Sequence, residues 1–220
     1  ISENQTIVGV DLGIKHLATC SDGTVFENPK ALKNNLKSLK RLQRSVSSKV
    51  KGSNNRKKAI EKLAKKHYKV SNIRKNALHQ ATSVLAKNYG TIVIEDLNVK
   101  GMVKNHKLAQ AVSDVGFGEF RRQLEYKAKW YGSDVIVANR FYPSSKICSC
   151  CGNKKETLKL SERIYSCHVC GNTIDRDLNA SKNLANLALL GNPKDVKPAK
   201  HTQTSDSSGR VVMKQEFLFN

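Results

Sequence analysis

The chain has 220 residues, of which 39% are hydrophobic and only 6% are aromatic. No run approaches the roughly 18 consecutive apolar residues of a membrane helix, so the sequence predicts no membrane span. Thirty-nine Lys and Arg stand against 18 Asp and Glu, for a formal net charge of +21. A compact protein with this charge repels itself, and a polyanion such as nucleic acid is the expected partner. A basic surface that serves only solubility is disfavoured, because the charge is concentrated in one segment.

Residues 6–28 have the pattern of three short strands joined by tight turns. The apolar run at 6–13 ends in a carboxylate and glycines, and Ser-Asp-Gly at 21–23 has the composition of a hairpin turn. From about 31 to 89 the apolar residues are instead spaced three or four apart, and Gly-Ser-Asn-Asn at 52–55 interrupts them. This second pattern predicts a helical hairpin inserted after the strands.

The predicted helical hairpin is strongly basic. Between residues 31 and 89 the sequence contains 17 Lys or Arg and a single acid, Glu61. A helix face that only meets water normally mixes charges of both signs, so a face of one sign indicates contact with a phosphate backbone. The residues predicted to make this contact are Lys37, Lys40, Arg41, Arg44, Arg56, Lys57, Lys58, Lys65, Lys66, Arg74 and Lys75.

The remaining chain alternates strands and helices before its apolar periodicity ends. Gly90 precedes a second buried strand, while Gly132 and Pro143 mark the ends of a helix and of a further strand. The polar composition after residue 190 predicts a largely disordered tail. In chain order the predictions are a strand at 91–99, a loop at 100–116, a helix at 118–132, a strand at 133–142, a cysteine-rich segment at 145–172, a helix at 177–190 and the tail at 191–220.

Two CxxC pairs are separated by 15 residues, and a glycine follows each pair directly. Two such turns place four thiolates around one tetrahedral Zn²⁺ and leave no ligand position for water, so the sequence predicts a structural zinc ribbon. The residues between the pairs are expected to form a hairpin. Cys150 is excluded as a ligand because its CxC spacing has the wrong reach, and Cys20 is predicted to be a buried core thiol. The predicted zinc ligands are Cys148, Cys151, Cys167 and Cys170.

Three carboxylates are candidates for a second metal site. Asp11 and Glu95 each end an apolar predicted strand, and Asp177 begins the helix after the cysteine-rich segment. Two-metal phosphodiester hydrolysis needs several hard oxygen ligands that hold two Mg²⁺ about 4 Å apart. Asp177 is preferred to Asp175 because it shares a helix face with small and apolar residues, whereas Asp175 suits an N-cap. Asp96 is expected to point to the strand face opposite Glu95.

At these residues the sequence resembles the transposon-encoded TnpB proteins, which are relatives of type V CRISPR effectors. The resemblance covers roughly residues 6–190. Several ordered motifs at matching separations make it far more specific than any single motif. The motifs are GVDLGIKHLAT (9–19), IVIEDLNVKGM (92–102), YPSSKICSCCG (142–152) and CHVCGNTIDRDLNASKNLA (167–185).

The resemblance implies an α/β fold, a ribonuclease H-like (RuvC) mixed sheet with the helical hairpin and the zinc ribbon inserted into it. It also implies an RNA-guided DNA endonuclease in which water attacks the phosphodiester, giving 5′-phosphate and 3′-hydroxyl products. By position, Asp11, Glu95 and Asp177 match the family's metal-binding triad, with Asp11 shared by two Mg²⁺. Arg163 matches an arginine that assists at the scissile phosphate. The implied partners are target DNA, a guide RNA and their hybrid, in the prokaryotic cytosol near the nucleoid.

The resemblance also implies an order of domains. Family members carry an N-terminal half that holds the guide and reads the target-adjacent motif. Because this sequence starts almost at its first catalytic strand, we expect it to be the nuclease portion, either a fragment, a naturally shortened form or one product of a split gene. The expected order is a RuvC-like core at 1–144 with the hairpin at about 31–89, the zinc ribbon at 145–172, the last catalytic segment and helix at 173–190 and the tail at 191–220.

Two other functions are compatible with some of these features. A non-cleaving, guide-dependent binding protein, such as a repressor or an accessory factor, would keep the basic surfaces, but its expected mark is loss of the carboxylate triad, which is present here. A transposase or Holliday-junction resolvase of the same fold would use the triad, but it explains the zinc ribbon and the basic hairpin less well. The sequence therefore favours the nuclease portion of a guided endonuclease.

Overall fold

The computed structural model describes residues 6–159, 161–190 and the strand Val196–Pro198. A short 3₁₀ helix, Ser144–Lys146, precedes the cysteine-rich segment. Within these ranges, every helix is too short or too polar to cross a bilayer. The other elements in chain order are β1 (Ile7–Leu12), β2 (His16–Cys20), β3 (Val25–Glu27), α1 (Ala31–Ser47), α2 (Asn54–Asn88), β4 (Thr91–Glu95), α3 (Val99–Val103), α4 (Ala109–Val115), α5 (Phe117–Tyr131), β5 (Asp134–Ala138), β6 (Ile164–Ser166), β7 (Thr173–Asp175), α6 (Arg176–Leu190) and β8 (Val196–Pro198).

The main sheet is mixed and has the strand order β3-β2-β1-β4-β5-β8. β1 pairs parallel with β4, and β4 pairs parallel with β5, whereas the remaining neighbours are antiparallel. The three central strands are rich in Val and Ile because helices cover both faces of the sheet. Their parallel pairing brings the C-terminal ends of β1, β4 and β5 to one edge. The predicted α/β class with a mixed sheet is confirmed.

The two faces of the sheet are covered differently. On one face, Val10 and Ile94 are fully buried in a large core that includes Phe120 of α5 and the end of α2. On the other face, Val93 packs against Leu184 of α6 in a smaller core. A single helix therefore covers the second face, and its position is set by a close backbone contact with the central strands.

Gly9 in β1 permits that close backbone contact. A Cβ atom at this position would lie 1.9 Å from the carbonyl oxygen of Ser181 and 2.5 Å from the backbone nitrogen of Ala185, both in α6. Backbone atoms of a packed helix cannot yield by that amount, so a side chain here would force α6 away from the sheet. Glycine at position 9 thus sets the distance between β1 and α6.

The long helices α1 and α2 form a hairpin between β3 and β4, and a buried carboxylate fixes its position. α1 begins after Lys30, which has a φ of 44° and provides no side-chain cap. Asp114 of α4, which is far along the chain, caps α1 instead. Its carboxylate accepts hydrogen bonds from the backbone N–H groups of Leu32 at 2.9 Å and Lys33 at 3.3 Å. The same carboxylate pairs with Arg74 of α2 at 2.8 Å. Asp114 therefore joins both helices to α4.

The structure corrects two parts of the predicted secondary structure. Residues 100–116, predicted as a loop, contain most of α3 and the whole of α4. These helices have only one or two turns each, so their apolar spacing is too short to form a recognisable period. The strands predicted at 91–99 and 133–142 end at Glu95 and Ala138, where the chain leaves the sheet.

The predicted C-terminal tail includes one strand. Within the predicted tail at 191–220, Val196–Pro198 form the edge strand β8, which pairs with β5. The other residues of the tail lie outside the described part of the chain. Cys20, predicted to be a core thiol, is completely buried in β2, and burial raises its pKa to about 12. That thiol is therefore a packing group.

Candidate metal centres

Asp11, Glu95 and Asp177 lie at the same edge of the sheet. Asp11 is the second-last residue of β1 and Glu95 is the last residue of β4. Since Val10 pairs with Ile94 in the parallel register, the two carboxylates follow side by side. Asp177 lies in the first turn of α6, the helix that packs on β1. All three residues line one cleft of about 500 Å³.

The three carboxylates repel one another inside this cleft. Burial raises the pKa of Asp11 well above its ordinary value, and the charges of Glu95 and Asp177 raise it further, while Arg176 acts in the opposite direction. Burial likewise raises the pKa of Glu95, against a hydrogen bond from Ser144 that lowers it. Buried carboxylates whose pKa values are raised, as at Asp11 and Glu95, form the environment that a bound cation stabilises.

The oxygen donors of this cluster suit Mg²⁺ in kind. Mg²⁺ prefers carboxylate oxygens and keeps several of its waters. The residues present therefore fit Mg²⁺ by the chemistry of their donor atoms.

Two neighbouring carboxylates, Asp175 and Asp96, are engaged with the protein instead. An oxygen of Asp175 accepts the backbone N–H of Asp177 at 2.9 Å, so this side chain caps α6. Asp96 pairs with Arg121 at 3.3 Å and with Arg140 at 3.0 Å. Neither carboxylate lines the cleft.

Four cationic side chains surround the carboxylates in the cleft lining. Arg176 contacts Asp177, with 3.5 Å between Nε and Oδ1. Its backbone N–H donates to the carbonyl oxygen of Arg163 at 2.8 Å, which joins the start of α6 to β6. The sequence had singled out Arg163, which is exposed at the cleft, but not the other three cations. The four residues are Lys15, Lys146, Arg163 and Arg176.

Two buried asparagines of α6, to which the sequence analysis assigned no role, hold the loop that follows β5. The Nδ2 atom of Asn183 donates to the carbonyl oxygens of Ser144 and Ile147, both at 2.7 Å. Asn179, one turn earlier, donates to the same Ile147 oxygen at 2.7 Å. The Ser144 hydroxyl in turn donates to the carboxylate of Glu95. These bonds connect Glu95 to the helix that carries Asp177.

The four predicted zinc ligands converge in the structure. Their Sγ atoms all lie within 4.8 Å of one another. Cys148 and Cys170 are 3.6 Å apart at sulfur, as are Cys151 and Cys167. Zn–S bonds of about 2.3 Å in a tetrahedron place sulfurs about 3.8 Å apart, so the thiols fit one Zn²⁺.

The thiols of the cysteine cluster have pKa values shifted in opposite directions. Burial acts to raise the pKa of Cys148, but backbone N–H groups of Cys151 and Cys150 and hydrogen bonds from neighbouring thiols lower it to about 6. At Cys170 the backbone N–H of Asn172 acts to lower the pKa, but burial and hydrogen bonds with the other thiols raise it to about 12. Zinc binds thiolates, so a bound Zn²⁺ would displace the protons that remain in this cluster.

The two cysteine turns share one hydrogen-bond pattern. The N–H of Cys148 donates to the carbonyl oxygen of Asn153 at 2.9 Å, and the N–H of Cys167 donates to that of Asn172 at 2.8 Å. The glycine after each pair has a φ of 74° or 72°, a conformation that other residues rarely adopt. The spacing of cysteines and glycines therefore reflects a turn that is repeated.

The described strand pairings of the ribbon lie around each cysteine pair, and the hairpin predicted between the two pairs stays a prediction. β6 pairs with β7, which lies after the second cysteine pair, so that pair lies in the turn of its own hairpin. Around the first pair, Ile147 forms a bridge with Lys154.

The basic residues predicted to contact phosphates lie on both helices of the hairpin. On α1, Lys37, Lys40, Arg41 and Arg44 line a groove of about 630 Å³. Those on α2 are Arg56, Lys57, Lys58, Lys65, Lys66, Arg74 and Lys75.

Arg74 departs from this prediction. Its guanidinium donates to the carboxylate and to the backbone carbonyl of Asp114, both at 2.8 Å. The structure thus gives Arg74 a role in joining α2 to α4. Lys65 also has an ion-pair partner, Glu61 at 2.6 Å, but both side chains are exposed and such a pair is weak in water.

Two family models match the chain one after the other. Residues 2–106 match OrfB_IS605, described as "Probable transposase", and residues 117–184 match the Cas12f1-like TNB domain. Together these matches include Asp11, Glu95, Asp177 and the four cysteines.

Several proteins are similar to the chain over most of its length. One from Streptomyces pristinaespiralis is 42% identical over 95% of this chain and 52% of its own length, and InsQ of Escherichia coli K12 is 38% identical over 84% and 49%. Both are named "Putative RNA-guided DNA endonuclease". TnpB-like protein L79 of Acanthamoeba polyphaga mimivirus is 26% identical over 86% and 38%. The chain spans about half the length, or less, of these relatives.

A solved structure has the same fold. It is that of Cas12f1 in a complex with sgRNA and target DNA, with a TM-score of 0.61 and 18% identity over 84% of this chain and 51% of that protein. The family models, the relatives and the fold agree with the sequence motifs. Over the region that these proteins share, the chain belongs to the TnpB family.

Proposed function

We propose that the chain is the nuclease portion of a TnpB-like RNA-guided DNA endonuclease, built on a RuvC-type sheet. The observation that supports it most is the convergence of Asp11, Glu95 and Asp177 in one cleft, where burial and repulsion raise the pKa values of Asp11 and Glu95. Such a cluster is costly unless cations neutralise it. The names of the relatives and the Cas12f1 complex support a guide RNA and target DNA as partners.

In this proposal Asp11, Glu95 and Asp177 would hold two Mg²⁺. Asp11 receives repulsion from both Glu95 and Asp177, so a cation held here would relieve its charge most. Ser144 orients Glu95 through its hydroxyl, and Arg176 orients Asp177. When bound, Mg²⁺ supplies the positive charge that polarises the attacking water and stabilises the leaving oxygen.

The proposed reaction is hydrolysis of one phosphodiester bond. The oxygen of water forms a bond to phosphorus, the bond from phosphorus to the 3′ oxygen breaks, and that oxygen takes up a proton. The products are a 5′-phosphate and a 3′-hydroxyl. The four cations of the cleft, Lys15, Lys146, Arg163 and Arg176, hold neighbouring phosphates of the strand.

The two remaining parts of the chain have distinct roles in this proposal. The basic hairpin grips the guide–target hybrid by its phosphates, which accounts for the net charge of +21. The four cysteines hold a structural Zn²⁺, and the ribbon around them forms one wall of the cleft through Leu158 and Arg163. The proposed domain boundaries are those inferred from the sequence, with the ribbon at 145–172.

Replacement of single carboxylates tests this function. With labelled single-stranded DNA and Mg²⁺, Asp11→Asn and Glu95→Gln are expected to lower the cleavage rate at least about a thousandfold, since each removes several kcal/mol of metal-assisted stabilisation. DNA affinity is expected to change less than about threefold, because the basic surfaces remain. Asp134→Asn is the control, because Asp134 is exposed at the start of β5 and away from the cleft.

Two results would contradict the proposal. Cleavage by Asp11→Asn at the wild-type rate would show that the carboxylate cluster takes no part in the reaction. DNA binding by the wild-type chain, without any cleavage of single-stranded DNA or of a guide–target hybrid, would favour the non-cleaving binding protein instead.

A further inference from the structure

Phe141 is the most exposed large apolar side chain in the described ranges, with 88% of its surface accessible. It lies in the turn at 139–144, which leaves the end of β5. Apolar side chains exposed singly are common on proteins, but an aromatic ring that lies almost wholly in water invites a physical explanation.

The turn that carries Phe141 is fixed at several points. The N–H of Phe141 donates to the side-chain oxygen of Asn139 at 3.1 Å, and the N–H of Tyr142 donates to the Asn139 carbonyl at 2.9 Å. On one side Arg140 pairs with Asp96 at 3.0 Å, and on the other the Tyr142 hydroxyl donates to a carbonyl of α6 at 3.3 Å. Both neighbours are bound inward, so the anchored backbone presents the Phe141 ring to solvent.

This turn begins and ends beside Glu95. Ala138, at its start, is the partner of Glu95 in the register of β4 and β5, and Ser144, at its end, donates to the Glu95 carboxylate. Glu95 also lines two cavities, the main cleft and a second of about 140 Å³ whose lining includes Asn139 and Arg140. A strand that leaves the main cleft past Glu95 therefore arrives at the turn of Phe141.

We propose that Phe141 is a stacking platform for an unpaired nucleobase of the DNA strand next to the scissile phosphate, an inference that rests on the proposed nuclease function. Every base has an aromatic face, so a single ring accepts any base without reading its sequence. Lys146, just past the turn, lines the cleft and attracts the phosphates of the same strand, while Arg140 stays bound to Asp96. The combination of one flat ring with a nearby cation suits a single strand, because the bases of a duplex are already stacked on one another.

Fluorescence of 2-aminopurine tests this platform directly. The probe is single-stranded DNA with 2-aminopurine at one position, moved base by base along the strand, and the 220-residue chain is used without added divalent cations. We expect quenching at one or two adjacent positions with the wild type and with Phe141→Tyr. Phe141→Ala and Phe141→Leu are expected to abolish that quenching and to weaken DNA binding by about fivefold or more, because stacking on an aromatic side chain is lost.

Trp130→Ala is the matched control. Trp130 is 67% exposed near the end of α5, just before β5 begins, whereas Phe141 follows the other end of that strand. The control is expected to quench and bind like the wild type.

Wild-type behaviour of Phe141→Ala would overturn the proposal, as would wild-type behaviour of Phe141→Leu, which would indicate a general apolar contact. If Phe141 variants lose quenching while their circular dichroism and the carboxylate-dependent cleavage pattern persist, the platform is supported. If the wild-type chain binds no DNA, the proposed function and the platform both fail, whereas equal binding by all variants rejects only the platform.

Discussion

The cysteine cluster and the carboxylate cluster both gather metal-binding side chains, but over very different lengths of chain. The cysteines lie between residues 148 and 170, in two turns with the same hydrogen bonds. The carboxylates lie between residues 11 and 177 and come from two strands and a helix. The sulfurs already stand at distances suited to one ion, whereas the carboxylates repel one another in a buried cleft.

This difference shows two ways of building a metal centre. The cysteine cluster is a product of local turn geometry, so its integrity depends on the metal and little on the sheet. The carboxylate cluster is a product of strand register and helix packing, so it depends on contacts far from the carboxylates themselves. Changes that affect one cluster and spare the other can therefore test the distinction.

Loss of one cysteine ligand is expected to have the largest effect. Zinc binding contributes about 10–16 kcal/mol in small zinc modules, so Cys167→Ser is expected to reduce the zinc content from one per chain to almost none and to unfold the ribbon. Native mass spectrometry and NMR measure the two quantities. Cys150→Ser is the control, since Cys150 lies in the first cysteine turn but outside the cluster. Unfolding of the main sheet along with the ribbon would show that the two centres are not independent.

Gly9→Ala is expected to damage the carboxylate cluster and to leave the zinc content unchanged. The added methyl would collide with two backbone atoms of α6, so we expect a loss of about 3 kcal/mol in the free energy of unfolding and a displaced Asp177. Denaturant unfolding and the cleavage rate report these changes. A methyl group at Gly118 meets nothing within 4 Å, so Gly118→Ala is the control and is expected to be neutral or slightly stabilising. Equal stability of the two variants would contradict the close contact.

Asn183→Ala tests the connection between the clusters. It leaves the carbonyl oxygens of Ser144 and Ile147 without this donor, and we expect a loss of about 2 kcal/mol in unfolding free energy. Because Ser144 also orients Glu95, the cleavage rate is expected to fall while zinc remains bound. Lys182→Ala, an exposed neighbour on α6, is expected to change neither quantity. A cleavage rate equal to that of the wild type would show that the asparagine has no part in positioning Glu95.

The smallest expected effect is a gain in stability. Without divalent cations, Asp11→Asn removes a repelled charge and is expected to raise the free energy of unfolding by about 1–2 kcal/mol at neutral pH. Since folding raises the pKa of Asp11, its protonation stabilises the fold fully below the unfolded pKa of about 3.9, and this stability is lost as the pH rises through the folded value. The free energy of unfolding of the variant is expected not to fall over this pH range, and added Mg²⁺ is expected to raise it less than in the wild type. Thermal unfolding across pH measures both, and equal pH profiles for variant and wild type would argue against repulsion at Asp11.

The features that the sequence predicted are those whose information is local. The CxxC spacing identified four ligands because a short turn determines where two thiols point. Asp11 and Glu95 were noticed because a charge at the end of an apolar run is visible in the sequence alone. The two helices of the hairpin were long enough for their apolar spacing to be recognised.

The features that the sequence missed depend on a partner far along the chain. Asp114 was placed in a predicted loop, and nothing in its neighbourhood shows that it caps a helix 82 residues away. The requirement for glycine at position 9 exists only because α6 crosses it. Asn179 and Asn183 resemble ordinary polar residues of a helix until the loop that they hold is in place.

The position of α6 in the chain order has a consequence for synthesis on the ribosome. Asp11 and Glu95 are neighbours as soon as β1 and β4 have paired, but Asp177 is translated only after the whole cysteine-rich segment. A nascent chain therefore holds two of the three carboxylates until α6 emerges and docks against Gly9. Since contacts between distant segments form late in folding, the three proposed metal ligands meet only after translation has passed this helix.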